Sequence, residues 1–400
     1  MDDDNEVTED SASPARFAAV SPELHFLLSC VNPGGTERSA PVTVAPGLDW
    51  DTFLELVARH RLAPAVHASL GQIAKVPLPV RTAIKNACES NRILILQRLR
   101  EIRELHEAFA RRGVECAVLK GVLAGLEIYG DPSRRHAGDI DLLIRPRDFR
   151  KADAALVELG FRPRTLSFPI KDSLLPWVLR QACDKEYIHP QSRTPVELHW
   201  RLIRNPHLLP LEPDEIFAQA RLFKIAGTSL RILDPGHQLL FLCAHGAKHG
   251  WFRLFWLVDV APLLASASVP GSANLFHAHG LDRILHQAVL LAQELLGMQF
   301  SPDLTRVAEQ DQAARLLSRW ALAEILGAER DLGVATLAER VRRHRYALAL
   351  RRGFSYRAAH FRQAILAQED WEEISIPAGW EWLYYGLRPV LWLRRRLRQV

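Results

Sequence analysis

The chain has 400 residues, with 51 Lys and Arg against 46 Asp and Glu, a formal net charge of +5, and 48% hydrophobic residues. These are ordinary globular proportions, sufficient for a sizeable core and two or three compact units. The slight basicity suits phosphate-bearing ligands and a solvated surface equally, so it does not indicate a nucleic-acid partner. No apolar run approaches the ~20 residues of a membrane-spanning helix.

In chain order, residues 1–16 are acidic with little to bury and are expected to be disordered; they do not read as a signal peptide. A helix is expected over 21–31 with Pro22 at its start, ended by Asn32-Pro33-Gly34-Gly35. Asp49 or Asp51 is placed to cap a helix running to about His60, and Ala63 restarts the chain into another. From Pro79 to Arg112, apolar residues recur at three and four spacing, which predicts one or two amphipathic helices with Gly113 just past the end. Cys116 to Leu119 reads as a buried strand, Val122 to Tyr129 as a short helix, and Ile140 to Ile144 as a second strand. Asp148 is expected to cap a helix through Glu158, followed by a strand over 161–168. Cys183–His189 and Thr194–Trp200 form a hairpin pattern across Pro190 to Arg193. A helix over 214–221, a hairpin at 222–233 around Gly227, and then helices from Pro235 onward complete the pattern, with breaks at 266–271 and 370–379. The expected fold class is α+β: a small mixed sheet between helical ends, divided into an acidic tail (1–16), a helical region (17–113), a core (114–233) and a C-terminal helical domain (234–400). The five cysteines are odd in number and scattered without a C-x-x-C pair, and read as reduced, buried thiols of a cytoplasmic protein.

The chemistry concentrates at Asp139-Ile140-Asp141. Alternate residues of a strand share a face, so the two carboxylates point the same way, and side by side they repel unless a cation joins them. The run L-K-G-x(7)-Y-G-D-P-x-x-R-x-x-G-D-I-D-L-L-I, residues 119–144, orders a strand, a glycine turn, a short helix and an acidic strand. This order resembles the core of polymerase-β-type nucleotidyltransferases. More closely, it is similar to an uncharacterised bacterial nucleotidyltransferase family found in biosynthetic gene clusters.

The resemblance implies transfer of a nucleoside monophosphate from an NTP to a hydroxyl of an unidentified acceptor, with release of pyrophosphate. Two Mg²⁺ ions are implied, held by Asp139, Asp141 and a third carboxylate on a later strand; Glu197, in P-V-E-L-H-W, matches that position. Transfer of a phosphoryl group by the same site, and nucleotide binding without turnover, are the alternatives. Lys120-Gly121 stands where most of the superfamily has Gly-Ser. The glycine and following helix still offer N–H groups to phosphate, and Lys120 supplies a point charge. Arg135 matches the family's arginine and is a phosphate candidate. The segment His245 to Asp259 reads H-G-x-K-H-x-W-x-R-L-x-W-L-x-D, also similar to the family. On a continuous helix His245, Lys248, His249, Phe252 and Trp256 adjoin one another, which makes Lys248 and then His249 candidate ligands of the triphosphate; Arg253 and Asp259 are expected to pair within the fold. At the C-terminal end, aromatics from Trp380 followed by the arginines to Arg398 suit a helix capping the bundle, ahead of contact with an anionic membrane surface.

Overall fold

A computed structural model describes residues 20–31, 42–71, 73, 75–225, 227–266, 271–327, 336–374, 376–377 and 379–398. The acidic tail, the Asn32 to Gly35 stop and the interior of the 266–271 break lie outside these. The protein is a mixed α+β fold, 62% helical, with one mixed sheet of seven strands and helices at both ends.

The strands are β1 (Cys116–Val118), β2 (Ile140–Ile144), β3 (Arg162–Pro163), β4 (Asp184–Ile188), β5 (Pro195–His199), β6 (Arg221–Ile225) and β7 (Thr228–Ile232), ordered β3-β4-β5-β2-β1-β7-β6. β2 runs antiparallel to β1 and parallel to β5, while β4–β5 and β6–β7 are antiparallel hairpins. The alternation of side chains divides the sheet into two faces. Ile140, Leu142, Val196 and Leu198 point into one core with Phe149, Trp200 and the late residues Trp371 and Tyr384. Ala117, Leu119 and Leu143 point the other way, into a larger core. That second core joins early residues such as Phe26, Phe53 and Ile84 to late ones such as Leu240, Leu257 and Leu291.

The helices begin where the sequence supplies caps. Asp49 is the residue that caps Trp50–Arg59, accepting from the backbone N–H groups of Asp51 and Thr52. Residues 78–111 form one continuous helix, Leu78–Arg111. Its inward face carries Asn91, Arg98 and Glu101 as well as apolar residues. The Asn91 amide donates to the carbonyl of Arg135 and accepts from the N–H of Ala137; Arg98 Nε donates to the carbonyl of Gly138. Buried polar groups need such partners, and here the partners are the loop that leads into Asp139.

Several expectations are corrected. The strand expected over 161–168 is only Arg162–Pro163, because Phe161 and Leu166 turn into the core rather than alternate. Asp148 makes no side-chain cap and instead ends a short 3₁₀ turn, Pro146–Asp148. The helix expected over 214–221 is Pro213–Gln219, since Arg221 already pairs with Ile232 in β6–β7. Part of the expected 370–379 break is helical, Gln368–Glu373. The final helix, Leu383–Arg398, is held to it by Arg388 and Arg395 on Asp370 and by Arg394 on Glu373. No described helix is long and apolar enough to cross a membrane.

Around His245, Gly250 puts the continuity of a helix in question, and the chain does break there. Helix Pro235–Lys248 ends at Gly250 (φ +64°) and Trp251 (φ +53°), and a new helix runs Leu254–Ala265. Trp251, fully buried, folds back over Gly246, where an added Cβ would lie 2.4 Å from its ring. A Gly246→Ala chain is therefore expected to be less stable by about 3 kcal/mol through overpacking. A thermal unfolding midpoint equal to that of the wild type would contradict this packing.

Candidate active site

The site lies on the second sheet face, where β2 meets β5. Their parallel register sets Asp141 directly beside Glu197, with Leu143 beside His199. Asp139 stands just before β2, and Lys120 follows β1, whose pairing is extended by the Leu119 N–H donating to the Asp141 carbonyl. Gly121 then takes φ +78°, ψ −136°, a conformation open to glycine, and a Cβ there would meet the Asp139 carbonyl at 3.4 Å. Glycine thus lets the Val122–Tyr129 helix begin against the acidic strand.

These elements gather three carboxylates around one ammonium. Lys120 Nζ lies 3.0 Å from Asp141 Oδ1, 3.8 Å from Asp139 Oδ2 and 3.9 Å from Glu197 Oε2. Burial alone would push the lysine down, but Asp141, Asp139 and Glu197 outweigh it and hold the ammonium above its ordinary range. Asp141 is fully buried. Burial first, and the charge of Asp139 second, push its carboxyl up to about 7 against the pull of Lys120 and His199. Its Oδ2 is buried without a hydrogen-bond partner among the described residues, a costly state for a carboxylate oxygen. Glu197 goes the other way: burial opposes ionisation, but the hydrogen bond from His199 and the charge of Lys120 keep it well below the usual carboxylate range.

His199 lies two residues beyond Glu197 on β5 and so shares its face. Its Nε2 lies 3.1 Å from Glu197 Oε2 and 3.3 Å from Asp141 Oδ1, and its Nδ1 lies 3.3 Å from the Arg201 carbonyl. Burial disfavours its charge, yet Asp141, Cys183 and Glu197 raise it well above an ordinary imidazole. One ligand atom from each of Asp141, Glu197 and His199 lies within 4.8 Å of the others, as do those of Cys183, Asp184 and His199. Asp139 belongs to neither group.

Arg135 is not turned to the cleft. Its guanidinium is buried, with Nε donating to Asp259 Oδ2 at 2.7 Å and NH1 to the Gly121 carbonyl at 3.1 Å. Asp259 therefore pairs with Arg135 rather than with Arg253, and it also accepts from the Tyr129 hydroxyl at 2.9 Å. The arginine braces the glycine turn from behind. Arg61 comes forward instead: with φ +57°, its guanidinium lies over the Phe255 ring and lines a recess of about 380 Å³ with Asp139, Glu197, Arg164 and Arg193. Burial and then Arg253 lower Arg61 to about 10, with Asp139 opposing. Nothing in its sequence context marked it, because its placement depends on a left-handed residue between two helices.

Lys248 and His249 stand at the end of the Pro235–Lys248 helix and line a second recess of about 400 Å³ with Phe252, Arg253, Trp320 and Arg343. Lys248 is exposed and has no ion-pair partner among the described residues. The aromatic cluster expected around it forms through the turn and not along one helix: His249 stacks on Trp256 at 5.3 Å, and His245 lies 5.4 Å from the same indole. Desolvation, then the charges of Lys248 and Lys120, push His249 down to about 3, so this imidazole resists protonation although its residue is exposed at the rim of the recess. All five cysteines are buried and unbridged.

The family model described as uncharacterised nucleotidyltransferase matches residues 46–297, a stretch that holds every residue of this site. The chain belongs to that family. A curated protein of Polynucleobacter asymbioticus, printed as "Putative NADH dehydrogenase/NAD(P)H nitroreductase", is 37% identical over 93 residues, covering 22% of this chain; the chain spans about half of that relative, 46% of its length. Among solved structures, an antigenic nucleotidyltransferase-like protein from Paracoccidioides brasiliensis is similar at 16% identity, with a TM-score of 0.30, over 54% of this chain and 96% of its own.

Proposed function

We propose that the protein transfers a nucleoside monophosphate from an NTP to the hydroxyl of an acceptor, with Mg²⁺ held by Asp139, Asp141 and Glu197. The observation that carries the reading is the β2–β5 register, which pairs Glu197, the third carboxylate, with Asp141 on one sheet face. The donor set fits Mg²⁺, which takes a few carboxylates together with phosphate and water. When bound, the metal neutralises the triphosphate and lowers the pKa of the attacking hydroxyl. The chain's own residues do the rest. Lys120 and the N–H groups that follow Gly121 receive phosphate oxygens, while Lys248, His249 and Arg61 approach from the helical side. Glu197 takes the acceptor's proton as the acceptor oxygen bonds to the α-phosphorus. The bond from that phosphorus to the bridging oxygen breaks, and pyrophosphate leaves with the electron pair.

Calorimetric titration of the four NTPs with Mg²⁺ tests the reading, followed by mass analysis of products formed with candidate acceptors. Metal-dependent binding and an adduct that retains the base support it; an adduct heavier by one phosphoryl group alone would replace it with phosphotransfer. A second reading, nucleotide binding without turnover, draws on one observation: Lys120 already supplies a positive charge where a cation would sit. In Lys120→Met the carboxylates lose that counter-ion. The chain is expected to be less stable by about 3 kcal/mol without metal, and to bind free Mg²⁺ about tenfold more tightly. Weaker or unchanged Mg²⁺ binding in this variant would favour the metal-free scaffold.

A further inference from the structure

The acidic face holds one imidazole that the nucleotidyl-transfer reading does not use. His199 is buried between Asp141 and Glu197, and its orientation is set from both ends. With Nδ1 facing the Arg201 carbonyl, Nε2 hydrogen-bonds the two carboxylates in the metal-free protein and becomes their fellow ligand when an incoming ion displaces its proton. The separations agree with this. An ion with bonds of ~2.1 Å spaces adjacent ligands about 3.0 Å apart in octahedral and about 3.4 Å apart in tetrahedral geometry. Nε2 lies 3.1 Å from Glu197 and 3.3 Å from Asp141. An independent sign is the fully buried Asp141 Oδ2, which has no hydrogen-bond partner among the described residues.

We propose that this sheet face carries two cation subsites of unlike chemistry. Asp139, together with Asp141 and Glu197, forms the all-oxygen subsite for nucleotide-bound Mg²⁺. Asp141, Glu197 and His199 form an inner subsite for a first-row transition-metal ion of the zinc class, the two subsites sharing Asp141 and Glu197. Mg²⁺ favours oxygen ligands, whereas imidazole suits zinc, iron and nickel, so His199 sets the difference. The outer subsite rests on the reading given above; the inner one is defined by protein atoms alone, and an ion there takes the place of the Lys120 ammonium, which lies 3.0 Å from Asp141 Oδ1 and 3.9 Å from Glu197 Oε2. The group of Cys183, Asp184 and His199 shares the same imidazole, and the Cys183→Ser variant separates the two.

The full chain, free of nucleotide, is titrated calorimetrically with Co²⁺ as the transition-metal probe and with Mg²⁺. The Mn²⁺-loaded protein is then examined by electron spin-echo spectroscopy for coupling to a ring ¹⁴N. The expected result is one Co²⁺ site that excludes Mg²⁺ by at least about tenfold, with ¹⁴N coupling in the wild type. His199→Asn should weaken Co²⁺ by at least about tenfold, Glu197→Gln should weaken it similarly, and Cys183→Ser should leave it unchanged. Absence of Co²⁺ binding, absence of ¹⁴N coupling in the wild type, or unaltered Co²⁺ affinity in His199→Asn would each overturn the inner subsite. So would a loss in Cys183→Ser with none in Glu197→Gln. The wild-type spectrum needs no variant to fold. Failure of Mg²⁺–NTP turnover would remove the nucleotidyltransferase reading and leave these metal measurements standing.

Discussion

Asp139→Ala is expected to reduce turnover of Mg²⁺–NTP by about 10³-fold or more, equivalent to ~4 kcal/mol of transition-state stabilisation. The same variant should fold normally. Its side chain is 32% exposed, and its nearest cation, Lys120, is 3.8 Å away, so removal disturbs no packed contact. The expected change in stability is within about 0.5 kcal/mol. This separates Asp139 from Asp141, whose removal would leave buried Lys120 and His199 short of an anion. Turnover and unfolding are to be measured on one preparation. Full activity in a folded Asp139→Ala chain would sink the nucleotidyltransferase assignment, and lost activity together with lost folding would show that the residue is structural.

The largest effect on stability is expected from Asp259→Ala. Asp259 and Arg135 are both buried, 3% and 7% exposed at their side chains, and the pair is completed by the Tyr129 hydroxyl. Removing the carboxylate strands a buried guanidinium, at a cost of about 3–5 kcal/mol. Because Arg135 also donates to the Gly121 carbonyl, the glycine turn should loosen as well, and NTP binding should weaken in whatever fraction remains folded. Denaturant titration checks the first effect and calorimetry the second. Denaturation at the wild-type midpoint would show that Arg135 finds another partner. Replacing both residues by apolar ones of similar size should recover part of the loss in stability but not the bracing of the turn, since no donor then reaches Gly121.

These two residues also show where the sequence was legible. Asp139 and Asp141 were readable because a strand's period of two is local: three consecutive residues reveal which side chains share a face. The hairpin of β4 and β5 was readable for the same reason, and with it the placement of Glu197 and His199 on one side. What could not be read was the partner of Asp259. Its arginine lies 124 residues away, and the nearer Arg253 fits equally well on spacing alone. Arg61 was invisible because a positive φ at a non-glycine residue is imposed by tertiary packing, not by local preference. The polar stripe of Asn91, Arg98 and Glu101 did leave a trace, polar residues on the apolar face of a helix. Only the fold reveals that Asn91 and Arg98 hold the loop before Asp139, while Glu101 accepts from Arg98 and Thr194. His199 shows the difference between face and function: pattern placed it beside Glu197, and only the parallel register with β2 brought Asp141 to the same imidazole.

The core that joins the first helices to the last ones constrains how the chain can be made. Apolar residues from Leu24 to Cys88 share one cluster with residues from Leu202 to Tyr356, and few from the stretch between belong to it. During synthesis the early helices therefore leave the ribosome well before most of their packing partners exist. At ~5–20 residues per second, roughly 110 intervening residues take on the order of 5–20 s to emerge. Over that interval Phe26 and Phe53 have each other, with ring centroids 5.1 Å apart, but not the later part of their core, so the emerging helices expose apolar surface until it arrives. Rare codons placed within the sheet would lengthen the exposure and lower the yield of folded protein.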